Sequence, residues 1–267
     1  MALELLVILA LIQGITEFLP ISSSGHLILF PAFAGVEDQG TAIDVAVHVG
    51  TLGAVMLYFW RDVQRMFAGG IHILTGRFGT EDARLTWLLA IATVPVIVAG
   101  LLLSIFGLTE KLRSMEVIGW TMLGFGIVLY VADRYGPRTR EAESWTIRDA
   151  IILGLWQALA LIPGTSRSGA TMTGARFLGF ERVDAARLAL LMSIPTIAAA
   201  GILVTRDVYA AGDMALGFDA LLAAGLAFVS ALLALFAMMR MLRTVSMTPF
   251  VVYRVVLGAI LLWMVYA

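Results

Sequence analysis

Residues 13–26 read QGITEFLPISSSGH, and residues 157–169 read QALALIPGTSRSG. Each stretch interrupts a long apolar segment with proline, glycine and clustered serine. At a constant offset of 144 residues Gln13 matches Gln157, and Ser22, Ser24 and Gly25 match Ser166, Ser168 and Gly169. Irregular backbone at membrane depth is tolerated only where it is buried in protein or lines a wet cavity. The two stretches therefore predict two re-entrant hairpins, each built as helix, break and helix.

The composition supports a membrane protein. Of the 267 residues 60% are hydrophobic and 14% are charged, whereas soluble domains are about 45–50% apolar. The net charge of -1 argues against a nucleic-acid partner. With no cysteine, the chain has no disulfide, no thiolate nucleophile and no cysteine-based metal site.

Six other segments are long and apolar enough to cross a bilayer. They are residues 41–60, 85–106, 115–133, 187–205, 219–239 and 249–267, and the two hairpins occupy residues 3–33 and 149–180. We therefore expect an all-α polytopic fold, with six transmembrane helices and two re-entrant hairpins in one membrane domain over residues 1–267. The N-terminus lacks the features of a cleavable signal peptide, so residues 1–30 are expected to belong to the mature fold.

The basic residues favour one topology. If the first hairpin opens to the outside and the second to the cytoplasm, thirteen of the 18 Lys and Arg residues lie in cytoplasmic loops and three in outer loops, in agreement with the positive-inside rule. Each half, at about residues 1–135 and 145–267, then holds one hairpin and three crossings. An odd number of crossings inverts the second half, so the breaks should meet near the midplane and form the binding site.

The breaks carry candidate chemistry. Gln13 and Glu17 are four residues apart and share one helix face. The serines at 22–24 are candidate N-caps, and the Gly- and Ser-rich second break, with Arg167, is typical of an anion site at a helix N-terminus. Small and hydroxyl residues also serve helix packing. A charge at bilayer centre costs about 2.5–3.5 kcal/mol even on the mild insertion scale, so Glu17 and Arg167 favour a functional site.

Three patterns together resemble one enzyme family. They are Gln13-x-x-x-Glu17, the run Ser22-Ser23-Ser24-Gly25-His26, and Pro163-Gly164-x-Ser166-Arg167-Ser168-x-x-Thr171. They resemble the bacterial undecaprenyl-diphosphate phosphatases associated with bacitracin resistance, and the resemblance covers essentially the whole chain. It implies an inner-membrane enzyme, activated by Mg²⁺ or Ca²⁺, whose site opens toward the periplasm. Such an enzyme removes the terminal phosphate of the C55 carrier, which recycles undecaprenyl phosphate for cell-wall synthesis.

The resemblance also implies roles for residues of this chain. The expected catalytic residues are Glu17, Ser23, His26 and Arg167, and the expected substrate-binding residues are Gln13, Gly164, Ser166, Ser168 and Thr171. Glu17, with Gln13 beside it, is expected to hold the cation or to act as general base, although members with two carboxylates have an acid where this chain has Gln13. The nucleophile is open among Ser23, His26 and water. Independently of the resemblance, Asp44 and His48, four residues apart at the start of the segment 41–60, are expected either to support the site from behind or to form a satisfied pair at the membrane interface.

A transporter or flippase for a polyprenyl phosphate or a small anion is the alternative, because inverted repeats with broken helices are also a transporter plan. A transporter needs the anion site but no nucleophile. The expected partners are the lipid substrate and the bilayer, and the oligomeric state is open between a monomer and a homodimer.

Overall fold

The structure, a computed structural model, describes residues 2–211 and 214–267, except for the side chains of residues 41, 110, 200, 203–211 and 214–215. The described residues form eleven α-helices and two short 3-10 turns, with no β-strand among them. The helices are α1 Leu3–Thr16, α2 Ser23–Ala34, α3 Gly40–Tyr58, α4 Trp60–Leu74, α5 Glu81–Ile105, α6 Met115–Tyr135, α7 Ile147–Leu159, α8 Arg167–Phe177, α9 Arg182–Ala211, α10 Met214–Met241 and α11 Thr248–Tyr266. The predicted all-α class is confirmed.

Among the described residues, four helices are long and apolar enough to span a membrane: α5, α6, α10 and α11. Helix α3 meets that test only together with α4, to which it is joined by a bend of 91°. The chain is therefore a multi-pass membrane protein. The count of six crossings stays a prediction, and the predicted segment 187–205 ends among residues whose side chains lie outside the described part.

Helix α4 is an element that the hydropathy pattern did not predict. One of its faces carries Asp62 and Arg65, which form ion pairs, while Phe67, Ile71 and Leu74 are exposed. A helix with one charged and one apolar face suits the membrane interface. The predicted segments left residues 61–84 as a loop, because the apolar residues of α4 recur with helical period and do not form a continuous apolar run.

Both predicted hairpins consist of two helices with a break between them. In the first, α1 and α2 flank residues 17–22, and in the second, α7 and α8 flank residues 160–166. Each second helix is capped by a serine: Ser22 accepts a hydrogen bond from the Gly25 amide at 3.4 Å, and Ser166 accepts one from the Gly169 amide at 3.1 Å. These two serines are the only non-glycine residues of the described chain with positive φ, 74° and 71°. The predicted break positions are confirmed.

The arginine-rich loops meet at one end of the molecule. Arg187 donates to Asp62 and to Glu143, while Arg182 donates to Asp133. Burial raises the pKa of Glu143, but its hydrogen bonds and the positive charges of Arg187 and Arg65 together outweigh burial, so this pKa lies below its usual range. At the opposite end Arg113 lies 3.6 Å from Asp38. The loops predicted to share a side of the membrane therefore do contact one another.

The second hairpin starts and ends at the arginine-rich end. Arg140 donates to Asp149 at the start of α7 at 2.6 Å, and to the Leu178 carbonyl just after α8 at 3.2 Å. Residues 168–176 of α8 are all buried, with α6, α7 and α9 packed around them. In the break that precedes α8, residues 164–166 are buried and residues 160–163 are half-buried, as expected for irregular backbone within a bilayer that is covered by protein or lines a cavity.

Candidate active site

The two breaks lie against each other in the centre of the helix bundle. The Ser168 hydroxyl of the second break donates to the Leu19 carbonyl of the first at 3.1 Å. Arg167, the first residue of α8, forms an ion pair with Glu17, the residue that follows α1. The contact joins positions 150 residues apart, and it gives the molecule an acid and a guanidinium at one point.

Arg254 of α11 holds the two breaks together from a third helix. Its side chain is fully buried, and it donates to the carbonyls of Pro20, Gly164 and Thr165 at 3.1, 3.0 and 2.9 Å. Its remaining hydrogen bonds reach carbonyls of α6, so all its hydrogen-bond acceptors among the described residues are backbone oxygens.

Glu17 is the most heavily bonded acid of the site. Its side chain is 4% exposed. It accepts hydrogen bonds from the Ser23 hydroxyl at 2.5 Å and from the Gln13 amide at 3.0 Å, in addition to the Arg167 contact. The His48 Nε2 lies 3.6 Å from the same carboxylate. A buried carboxylate needs this many partners, because its desolvation is costly.

A cavity of about 160 Å³ opens in front of this acid. The break residues, together with α3, α5, α7 and α9, line it. The polar groups at its wall include Glu17, Ser23, His48, Gln157, Ser166 and Arg167. The arrangement places a hydroxyl, a carboxylate and a guanidinium around one small volume, which is what phosphoryl chemistry needs.

His26 points away from this cavity. Its Nδ1 lies 2.6 Å from the Ser22 carbonyl, its Nε2 lies 2.5 Å from the Tyr253 hydroxyl, and its ring stacks on Tyr253 with centroids 5.7 Å apart. Since a carbonyl only accepts, Nδ1 carries a hydrogen, and both ring nitrogens are engaged. His26 does not line the cavity, and its catalytic role stays a prediction.

Four other candidates do not line the cavity: Gly164, Ser168, Thr171 and Asp44. A Cβ on Gly164 would come within 2.1 Å of the Thr121 hydroxyl, so this glycine allows the break to pack closely on α6. Ser168 donates a hydrogen bond to the first break. Thr171 is buried, and its hydroxyl has no hydrogen-bond partner among the described residues. Asp44 accepts a hydrogen bond from Gln39 at 2.6 Å. Gln13 contacts the site only through Glu17.

Two residues take a more direct part in the site than the sequence predicts. His48, expected behind the site, contacts Glu17 and lines the cavity. Gln157, noticed only as the counterpart of Gln13, also lines it. An amide within the otherwise apolar stretch of residues 150–162 is the sequence signal that points to Gln157.

The donor set for a divalent cation is small. Within residues 2–211 and 214–267, no three His, Asp or Glu side chains are grouped closely enough to hold a metal ion. The Gln13 Oε1, however, is buried without a hydrogen-bond partner next to Glu17. Mg²⁺ is commonly held by one or two carboxylates together with waters and substrate phosphates, so the site fits a cation that a diphosphate helps to bind.

The fold and the cavity define a multi-pass helical membrane protein with a polar site enclosed between two broken helices. Comparison with known sequences gives its family: the model of the bacitracin resistance protein BacA family matches residues 6–260. The chain belongs to this family.

Several relatives match over the full length of both chains. Proteins named undecaprenyl-diphosphatase from Jannaschia sp. (strain CCS1) and Ruegeria pomeroyi are each 60% identical to this chain over 267 residues, with 100% of both sequences covered. The one from Dinoroseobacter shibae is 61% identical over 267 residues, again with 100% coverage of both.

Proposed function

We propose that this protein hydrolyses undecaprenyl diphosphate to undecaprenyl phosphate and inorganic phosphate. Family membership and the names of relatives about 60% identical over their whole length support this function. The observation that carries the proposal is the contact of Ser23 and Arg167 with the two oxygens of Glu17. The reaction recycles the lipid carrier for cell-wall synthesis and so underlies resistance to bacitracin.

Arg167 binds the terminal phosphate in this proposal. Its guanidinium offers the forked donors that match phosphate oxygens, and it lies at the start of α8, where free backbone amides and the positive helix end favour an anion. Stabilising the charge on the transferring phosphoryl group is the main requirement of phosphoryl transfer. The substrate phosphate replaces the Glu17 Oε1 as the partner of Arg167, while the Glu17 Oε2 keeps its hydrogen bond with Ser23.

Ser23 is the nucleophile that the geometry favours. Its oxygen forms a bond to the terminal phosphorus, the bond from that phosphorus to the bridging oxygen breaks, and undecaprenyl phosphate leaves with the bridging oxygen. Glu17, hydrogen-bonded to the Ser23 hydroxyl, accepts its proton. Water then attacks the seryl phosphate, which releases inorganic phosphate and restores the hydroxyl.

The expected cofactor is a divalent cation, Mg²⁺ or Ca²⁺, which would neutralise charge on the diphosphate when bound. Glu17 and the Gln13 Oε1 are the side-chain oxygens that would hold it, and its chemistry would be to stabilise charge on the phosphate oxygens. Of the two residues, Glu17 lines the cavity, while the Gln13 Oε1 is buried beside it without a hydrogen-bond partner among the described residues.

The proposal is tested by phosphate release from a C15 or C55 isoprenyl diphosphate by purified protein in detergent. We expect the wild type to release phosphate. EDTA should abolish this release, and excess Mg²⁺ or Ca²⁺ should restore it. Ser23→Ala and Glu17→Ala should each abolish the release as well. No release from monodisperse protein with any cation would contradict the phosphatase and favour the anion transporter, which needs the same site without a nucleophile.

We further propose that the protein lies in the inner membrane with six crossings, two re-entrant hairpins in inverted halves, and a site open toward the periplasm. Reporters fused at residues 76 and 107, which precede α5 and follow it, measure the orientation. We expect a cytoplasmic signal from the first fusion and a periplasmic signal from the second, because the arginine-rich loops stay in the cytoplasm. The reverse pattern would overturn this orientation.

A further inference from the structure

Gln157 is a buried side chain whose polar atoms have no partner in the part of the chain that the structure describes. The residue is fully buried in α7, and no described residue forms a hydrogen bond with its Nε2 or its Oε1. Leaving one such buried group unpaired costs about 1–3 kcal/mol. This cost is expected to be removed when a ligand binds and forms hydrogen bonds with the Gln157 amide.

The surroundings of Gln157 indicate what that ligand is. Its side chain lines the same cavity of about 160 Å³ as Glu17, Ser23 and Arg167. Within that cavity Glu17 is already engaged by Ser23, Arg167 and Gln13, so the Gln157 amide is the polar group left free. Its Nε2 offers two hydrogens to an acceptor such as a phosphate oxygen.

A comparison of the two hairpins explains why this amide is free. Gln13 donates to Glu17, four residues later on the same helix face, at 3.0 Å. The residue four positions after Gln157 is Leu161, which lines the cavity with an apolar side chain. The second hairpin therefore keeps the amide and lacks the carboxylate that would occupy it.

We propose that Gln157 is a substrate-binding residue whose Nε2 donates a hydrogen bond to the phosphate that Arg167 binds. The diphosphate is then held by a charged donor from α8 and a neutral donor from α7. This inference rests on the proposed phosphatase function and adds a residue to its site. A neutral donor orients the phosphate without adding a second cation to a membrane-embedded cavity.

Gln157→Met tests the inference, because it keeps the length of the side chain and removes both polar atoms. We expect kcat/KM for a C15 isoprenyl diphosphate to fall about 10- to 100-fold, the effect of losing a hydrogen bond to a charged group. The unfolding temperature in detergent should stay the same or rise, because an unpaired buried polar group has been removed. Gln157→Glu, which has the same shape but repels the diphosphate, should lose at least as much activity.

Thr93→Val is the matched control. Thr93 is buried in α5 outside the cavity lining, and its hydroxyl is satisfied by the Leu89 carbonyl at 2.7 Å, so kcat/KM should stay within about twofold of the wild type. Unchanged kcat/KM in Gln157→Met would overturn the inference. A clear drop in its unfolding temperature would do the same, because it would show that the amide is paired within the protein. Both results differ from a failed function, in which the wild type itself releases no phosphate.

Discussion

Arg167→Ala is expected to lower kcat/KM for phosphate release about 1,000-fold. An arginine that stabilises the transferring phosphoryl group contributes about 10³–10⁵ in rate in other phosphoryl-transfer enzymes. In this chain Arg167 is also the counter-charge of the buried Glu17, so its loss leaves that carboxylate unpaired beside the incoming diphosphate. Steady-state release from a C15 isoprenyl diphosphate measures the effect.

Arg167→Lys separates charge from shape. A lysine keeps the positive charge but cannot donate two parallel hydrogen bonds to a phosphate, so we expect an activity between those of the wild type and Arg167→Ala. Arg148→Ala, at an exposed position at the start of α7, is the control and should stay within about twofold. Activity of Arg167→Ala within tenfold of the wild type would contradict the assignment of Arg167 as the phosphate-binding residue.

Arg254→Met is expected to give the largest loss of stability. The substitution leaves the carbonyls of Pro20, Gly164 and Thr165 buried without their Arg254 hydrogen bonds. At about 1 kcal/mol or more for each unpaired group, the free energy of unfolding should fall by about 3 kcal/mol. Because these carbonyls belong to both breaks, phosphate release should also fall at temperatures where the variant is still folded. Unfolding followed by tryptophan fluorescence, with release measured on the same sample, tests both effects.

Two further variants make this result specific. Arg254→Lys retains the charge, but an ammonium group has three donors where the guanidinium has five and Arg254 makes five hydrogen bonds, so it should recover only part of the stability. Arg240→Met removes an exposed arginine at the end of α10 and should change stability by no more than about 0.5 kcal/mol. Wild-type stability in Arg254→Met would show that the breaks hold together without this residue.

Most of the helix order was predictable, because apolar length and the positions of proline and glycine are local properties of the sequence. The breaks around Pro20 and Pro163 fall where the sequence predicts them. Helix α4 was not predicted, because an amphipathic helix at an interface has only modest mean hydropathy. A hydropathy window therefore assigned it to the loop after α3.

The candidate site also combines residues that the sequence predicts with contacts that it does not predict. Glu17 and Arg167 stood out in the sequence because charge within an apolar segment is costly. The direction of His26 was not predictable, since it depends on Tyr253, 227 residues away in the chain. Arg254 was visible as a charge in a membrane segment, but its acceptors are backbone oxygens, and a sequence pattern does not show where carbonyls point.

The ion pair between Glu17 and Arg167 has a consequence for turnover. In the proposed mechanism the inorganic phosphate product leaves a guanidinium that a carboxylate of the same chain is ready to occupy. Glu17 thus acts as a tethered competitor of the product, and a tethered group has a high effective concentration. The acid that activates the nucleophile would then also speed the departure of phosphate, so weak product inhibition would be a property of the resting enzyme itself.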